Sequence, residues 1–316
     1  MMGRDGVFEF VPLFNKEEES PFSGITADLE GVAPDPLGPL GALRGVWKGT
    51  GFNTIWRPLH DPDHPEQSHF LELNLTVESI EFTEIQGDIP NRGLLQGDLF
   101  MNGLHYMQLV SDNHGHGLHL EPGVWLIVPP TTDPQVPQTV VRMGSIPHGT
   151  TILAQGLVSS ESRAPNFENI NIKPFPVGRP DQPIDFPEAN LSIPTDFRSQ
   201  PPLIDGITQA MVDAPNSVLE SALVGQTITQ TTNLIITTAQ TPVIGGGTAN
   251  TAFLQGDRAP NAVAARMDSI FWIEEVEEAG ATVLQLQYTQ TVTLDFAGLS
   301  WPHVSVATLR KVPAAA

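Results

Sequence analysis

The sequence predicts an all-β protein, built as an antiparallel up-and-down β-barrel of ten strands. Three observations predict it: short segments with apolar residues at every second position, clusters of turn-forming residues between them, and 29 prolines and 28 glycines among 316 residues. A period of two is typical of strands with one buried and one solvated face. Frequent Pro and Gly favour short segments over long helices.

The first half of the chain contains six segments with this pattern. The clearest begins at Leu71, where apolar residues alternate with Glu, Asn and Thr in LELNLTVESIEF; the others are LLQGDLF, GLHYMQLV, GVWLIVP, TVVRMGS and TTILAQG. Asn, Asp, Gly and Pro separate the segments as turns. This number of short strands before residue 157 favours a barrel or a sandwich.

A proline-rich segment then interrupts the alternation, from about residue 158 to 205. Helix-like spacing around Pro215 predicts one or two short helices after it. Strand patterns resume in TNLIITTAQTPVI, GTANTAFLQG, AVAARMDSIFWIEEV and TVLQLQYTQTVTLDF. Because so few strands alone would leave unpaired sheet edges, we expect them to complete the barrel begun by the first half rather than to form a second domain.

The predicted organisation is therefore an acidic arm over residues 1–33 and one barrel domain over residues 34–316, with an insertion at about 158–250. The last strand segment adds a detail about the barrel interior. Its face with Tyr288 and Val292 is apolar but also carries Gln290. A mixed face of this kind fits a barrel that encloses a cavity better than one with a solid core.

Composition limits the chemistry and the partners. The chain has 15 Lys and Arg against 36 Asp and Glu, and a formal net charge of −21, which predicts no binding to nucleic acid or to anionic membranes. No apolar run approaches a membrane span, and the N-terminus lacks the apolar core of a secretory signal, so we expect a cytoplasmic protein. The absence of cysteine leaves histidines, carboxylates and hydroxyls to carry any chemistry.

Three motifs, taken in order, resemble those of the nitrobindin family of haem-binding barrels, which are calycin-like and related in shape to lipocalins and fatty-acid-binding proteins. The first, LGALRGVWKGTG, carries the spacing G-x-W-x-G-x-G from Gly45 to Gly51. The second is GLHLEPGVW, which ends at Trp125, and the third is WPHVSVATLRK, which begins at Trp301. The resemblance covers roughly residues 34–157 and 262–316; the insertion between them has no counterpart in the compact members of the family.

This resemblance implies a haem b cofactor and identifies two histidines. His303 corresponds to the proximal ligand of the haem iron, which makes it the predicted metal ligand, and His119 has the distal place, where it could act catalytically by hydrogen bonding or by moving a proton. The implied small-molecule ligands are nitric oxide, peroxynitrite or a peroxide, and the implied reaction is isomerisation of peroxynitrite to nitrate. Neutral imidazole suits haem iron, and Pro302 restricts the backbone just before His303.

Four further residues are predicted to bind the cofactor. Leu118 and Met143 would supply apolar lining, and Thr54 matches a pocket threonine of the family. His148 follows a strand at a turn, from which it could line the barrel mouth. We also expect His303 to stand at the start of a short final helix.

Several alternatives stay open at this point. The same haem barrel could be a peroxidase-like enzyme acting on a small organic or N–O substrate. A protein of another class would be a haem-free carrier of an apolar ligand. Carriers of fatty acids often offer a cation to the carboxylate, and Arg142 and Arg266 are the candidates on strands. The insertion could also mediate a homodimer contact.

The remaining histidine groups have two interpretations. His60, His64 and His69 stand among carboxylates, and His114 and His116 flank a glycine, so either group could bind zinc or nickel. Both groups occupy Pro- or Gly-rich loops without rigid spacing, which favours solvated loops over metal sites.

Overall fold

The protein is described here by a computed structural model that covers residues 35–168, 170–256 and 260–313. The predicted ten-stranded antiparallel barrel is confirmed. Its strands are β1 (Gly45–Pro58), β2 (His69–Glu84), β3 (Leu99–Asp112), β4 (Gly117–Val128), β5 (Thr139–Ile146), β6 (Thr150–Glu161), β7 (Thr227–Thr237), β8 (Val263–Glu278), β9 (Ala281–Phe296) and β10 (Leu299–Lys311). Each strand pairs with the next along the chain, and β10 pairs back onto β1 to close the wall.

The smaller elements are all short. The helices are α1 (Gln209–Asp213), α2 (Ser217–Ala222) and α3 (Ala252–Gln255), with single 3-10 turns at Gly38–Leu43 and Pro187–Ala189. Short strands occur at Ile89–Asn91, Thr131–Thr132, Gln135–Val136, Phe175–Pro176 and Gly247–Asn250. Helices α1 and α2 lie on either side of Pro215, as the sequence predicts. No helix among the described residues is long and apolar enough to cross a membrane.

The insertion is shorter than its predicted range. Strand β6 continues to Glu161 and β7 begins at Thr227, so both strands belong to the wall. The excursion from the barrel therefore spans residues 162–226. The acidic arm predicted for residues 1–33 lies outside the described residues.

One end of the barrel has a solid core. Trp47 on β1 points inward and is fully buried with Trp125 and Phe271. The indole nitrogen of Trp47 donates a hydrogen bond to the carbonyl of Leu43 at 2.7 Å. The turn that contains Leu43 also buries Leu40, so this turn seals the end of the barrel.

The insertion packs against the outside of the wall. A second apolar cluster joins outward residues of β1, β2 and β10, among them Trp56, Leu71 and Val304, to residues of the insertion and of α1 and α2. Arg198 fixes the insertion locally, because its guanidinium donates to three backbone carbonyls, those of Glu188, Asn190 and Ile193. This cover makes the wall around β10 buried on both faces.

We expect Trp47→Ala to destabilise the barrel by about 3–5 kcal/mol, because it removes a fully buried indole and leaves a cavity. Urea unfolding followed by far-UV circular dichroism would measure the change. Leu94→Ala is the control, since Leu94 is 94% exposed and its loss should change the free energy of unfolding by less than about 0.5 kcal/mol. Equal effects of the two substitutions would contradict the role of Trp47.

Candidate functional site

The other half of the barrel encloses a cavity of about 420 Å³. This volume lies within the range of about 300–1,000 Å³ that is typical of small-molecule sites. Leu254 on α3 contributes to the lining from outside the strands. Inward residues of the wall supply the rest, including Ile55, Val110, Ile146, Ile152, Val292 and Leu294, together with three histidines.

His303 lies on β10 and points into this cavity. It stands between Ile55 on β1 and Val292 on β9, its direct neighbours across the sheet. Burial, together with the nearby histidines of the cavity, lowers the pKa of His303 to about 3, so the imidazole is neutral at pH 7. Among the described residues, neither ring nitrogen has a hydrogen-bond partner. The predicted short helix is wrong, because the segment around His303 continues as a strand.

His119 and His148 occupy the wall opposite His303. His119 is on β4, four strands around the barrel from β10, and His148 is in the turn between β5 and β6. Their ring centroids are 5.7 Å apart. Burial and the proximity of His119 lower the pKa of His148. Leu118 joins them at the cavity because the pairing of β3 with β4 slips by one residue at this point.

A buried ion pair lies beneath His119. The Arg142 guanidinium donates to Glu121 at 2.8 Å, to the Tyr106 hydroxyl at 3.0 Å and to the amide oxygen of Gln290 at 2.7 Å. Burial alone would favour the neutral acid, but Arg142 and the other hydrogen-bond donors lower the pKa of Glu121 to about 2. Glu121 is therefore ionised, and its second oxygen lies 3.3 Å from Nε2 of His119.

A second carboxyl group lines the cavity without a cation beside it among the described residues. Glu78 accepts hydrogen bonds from Thr76 at 2.7 Å and from the Tyr288 hydroxyl at 2.6 Å, and Gln108 donates to Tyr288 at 3.1 Å. Burial raises the pKa of Glu78 above its usual range. Ionisation of Tyr288 is strongly disfavoured for the same reason.

Two predicted cofactor-binding residues face away from the cavity. Asn53 and Ile55 line it, so the alternation of β1 turns Thr54 to the outer face, where it is buried. Met143 is 40% exposed on the outside of the barrel, because its neighbour Arg142 points inward. The predictions that Thr54 and Met143 line the cavity are therefore wrong, because both side chains lie on the outer face of their strands.

The other histidines do not form a metal site. His64 pairs with Asp61 at 3.0 Å and His116 with Asp112 at 2.8 Å, both near the surface. His69 is instead buried beneath the insertion, between Trp301 and Phe186. Within the ranges that the structure describes, no group of three His, Cys, Asp or Glu residues is arranged to hold a metal ion.

Sequence reasoning missed the polar residues of the cavity. Asn53, Glu78, Gln108 and Ser305 all line it, and they were not predicted as site residues. The one available signal was Gln290, a polar residue on an otherwise apolar strand face. To predict Asn53 and Ser305 in the same way, one must know which residues of β1 and β10 point inward, and the sequence alone does not show this.

Comparison with known proteins finds similarity among solved structures only. No protein-family model and no curated protein matches the chain. Among solved structures, it is similar to one titled "Crystal Structure of Rv2717c from M. tuberculosis", with 15% sequence identity and a TM-score of 0.41. The alignment covers 89% of this chain and 99% of that chain.

The lowered pKa of His303 predicts a loss of stability in acid. Because this pKa is about 3 in the folded state and about 6.5 in an unfolded chain, the unfolded state binds more protons between these values. Stability should fall by up to about 1.4 kcal/mol for each pH unit below 6.5 on account of this group. Urea unfolding of the wild type and of His303→Leu at pH 7, 6 and 5 would measure it.

We expect a shallower dependence on pH in His303→Leu, and an unchanged one in His105→Leu, whose ring is exposed on the outer wall. Identical slopes in the wild type and in His303→Leu would show that His303 is not held neutral by burial.

Arg142→Met should destabilise the fold by about 3–5 kcal/mol, because it leaves the Glu121 carboxylate buried without its cation. Arg266→Met is the matched control, since Arg266 pairs with Asp268 on the outside of the barrel and both side chains are about a third exposed. A change of less than about 1 kcal/mol is expected there. Urea unfolding distinguishes the two, and similar losses would refute the interior ion pair.

Proposed function

We propose that this protein binds haem b in the barrel cavity, with His303 as the proximal ligand, and that it isomerises peroxynitrite to nitrate, as its resemblance to the nitrobindin family implies. The observation that carries the proposal is the state of His303. It is a neutral imidazole that faces the cavity between apolar neighbours, and it has no hydrogen-bond partner among the described residues. Neutral imidazole is the form that ligates haem iron.

The cavity residues suit such a cofactor. Ile55 and Val292 flank His303, and Leu294 and Ile146 add apolar surface for a porphyrin. When bound, ferric haem would supply the Lewis acid that receives the oxidant. His119 and His148, on the opposite wall, would border the distal side.

His119 is the residue that we assign to proton handling. The Glu121 carboxylate can only accept a hydrogen bond, so Nε2 of His119 carries the hydrogen that points to it, and Nδ1 is left free to accept a proton. Glu121 is a positioning residue here, since it acts through His119.

One observation disfavours the alternative of a carrier for an apolar carboxylate. Arg142 does lie inside the barrel, but its guanidinium is neutralised by Glu121. Arg266 pairs with Asp268 outside the cavity. No specific observation favours a peroxidase-like reaction. The cytoplasmic location and the homodimer stay predictions from the sequence.

A hemin titration followed by absorption spectroscopy tests the proposal. The wild type and the His105→Ala control should show a saturable Soret band, and His303→Ala should shift or lose it. His119→Ala should retain haem and lower the rate of peroxynitrite decay by about 10²-fold or more, as for other general acid–base groups. Absence of saturable uptake in the wild type, or an unchanged band in His303→Ala, would refute the proposal.

A further inference from the structure

Three polar side chains form a row across the inner wall of the cavity. Ser305 on β10 is the direct neighbour of Asn53 on β1 and of Gln290 on β9. This row lies two residues deeper along β10 than His303. All three side chains line the cavity, and Asn53 is only 4% exposed.

The Arg142 guanidinium fixes the orientation of the Gln290 amide. Its oxygen accepts a hydrogen bond from the Arg142 guanidinium at 2.7 Å. A guanidinium can only donate, so the oxygen must face Arg142 and the amide nitrogen is left for the cavity. This NH₂ group has no partner among the described residues.

The Asn53 amide is fixed in the same way by a different partner. Its oxygen accepts from the amide nitrogen of Asn74 at 2.9 Å, and that nitrogen also donates to the Glu72 carboxylate at 3.1 Å. Because a carboxylate accepts, Asn74 cannot be flipped without losing this contact. Asn53 therefore also keeps its NH₂ group for the cavity, without a partner in the described part of the chain.

Ser305 completes the row between the two amides. Its hydroxyl has no hydrogen-bond partner among the described residues, so it is available to donate as well. The row thus offers two amide NH₂ groups and one hydroxyl, while the acceptor oxygens of both amides are already occupied. All three donors face the cavity without a partner among the described residues, so they suit a ligand rich in acceptor oxygens.

We propose that Asn53, Ser305 and Gln290 form a binding subsite for a planar oxyanion, either nitrate or the carboxylate of an organic molecule. Neighbouring strands lie about 5 Å apart, so a planar group with two or three oxygens can reach donors on adjacent strands. The Arg142 charge polarises the Gln290 amide and strengthens it as a donor. The described cavity residues include two carboxyl groups. Glu78 does not repel an anion while it is protonated, and burial favours that form, whereas Glu72 is paired with Arg57 at 3.0 Å.

This subsite does not depend on the haem proposal, although nitrate is the product of the reaction proposed above. It is therefore tested on the haem-free protein, by isothermal titration calorimetry with sodium nitrate and with sodium benzoate at constant ionic strength. We expect saturable binding of at least one of the two. Tighter binding of nitrate would identify a site for the free anion, and tighter binding of benzoate would identify a site for an organic carboxylate.

Gln290→Glu is the decisive variant. It keeps an oxygen for Arg142 to contact, so the fold should be retained, but it replaces the NH₂ donor with an acceptor. Affinity for the oxyanion should fall tenfold or more, as expected for the loss of a hydrogen bond to a charged group. Ser305→Ala should lower the affinity by a smaller factor. Ser79 lies on the outer wall, so Ser79→Ala should bind the oxyanion like the wild type.

Two results would overturn the proposal. One is the absence of saturable binding of either anion to the wild type. The other is unchanged affinity in both Gln290→Glu and Ser305→Ala. Circular dichroism of each variant separates lost binding from lost folding, and Asn53→Asp provides a second donor-to-acceptor exchange if Gln290→Glu does not fold.

Discussion

The buried guanidinium of Arg142 organises the interior of this barrel. Its guanidinium contacts Glu121, Tyr106 and Gln290, and it lies within 6 Å of the ring centroids of Trp125 and Phe271. A buried charge is tolerated only when it is paired and hydrogen bonded, so these side chains must hold their positions together. The solid core ends at this group and the cavity begins. Arg142 orients His119 through Glu121. Its hydrogen bond to the Gln290 oxygen leaves the amide nitrogen of Gln290 facing the cavity.

The insertion affects the site from the other side of the wall. Val304, next to His303 in sequence, points outward into the cluster that the insertion covers. Trp301 stacks on Phe296 at 4.9 Å and contacts Trp56 at 5.6 Å between ring centroids. These contacts hold the beginning of β10 in place and thereby position His303. The excursion from the barrel thus supports the cavity without lining it.

The antiparallel barrel could be predicted because most of its strands have a polar and an apolar face, and closure follows from the need to pair the edges. The exception is β10, which is buried on both faces and was predicted in part as a helix. Alternation alone does not show which of the two sets of residues faces the interior. A shift of one residue exchanges the inner and outer faces, and this is the error in the predictions for Thr54 and Met143.

The helix predicted at His303 is wrong for another reason, which concerns Pro302. A proline suits a helix start, but it is also tolerated in a strand where no donor is needed, and β1 pairs with β10 only as far as His303. The two fixed amides depend on partners far away in sequence, Arg142 and Asn74, which no local pattern reveals.

Closure of the wall also determines how molecules exchange with the interior. Ten strands are hydrogen bonded in a continuous circle, and the sealed end is occupied by Trp47. Ligands therefore enter and leave at the rim, the open end opposite Trp47, where Leu254 of the four-residue helix α3 borders the cavity. The residence time of a ligand and its equilibrium affinity consequently depend on residues in different parts of the molecule. Sequence changes in the rim can tune how quickly a ligand is exchanged, while the inner wall continues to decide which ligand is held.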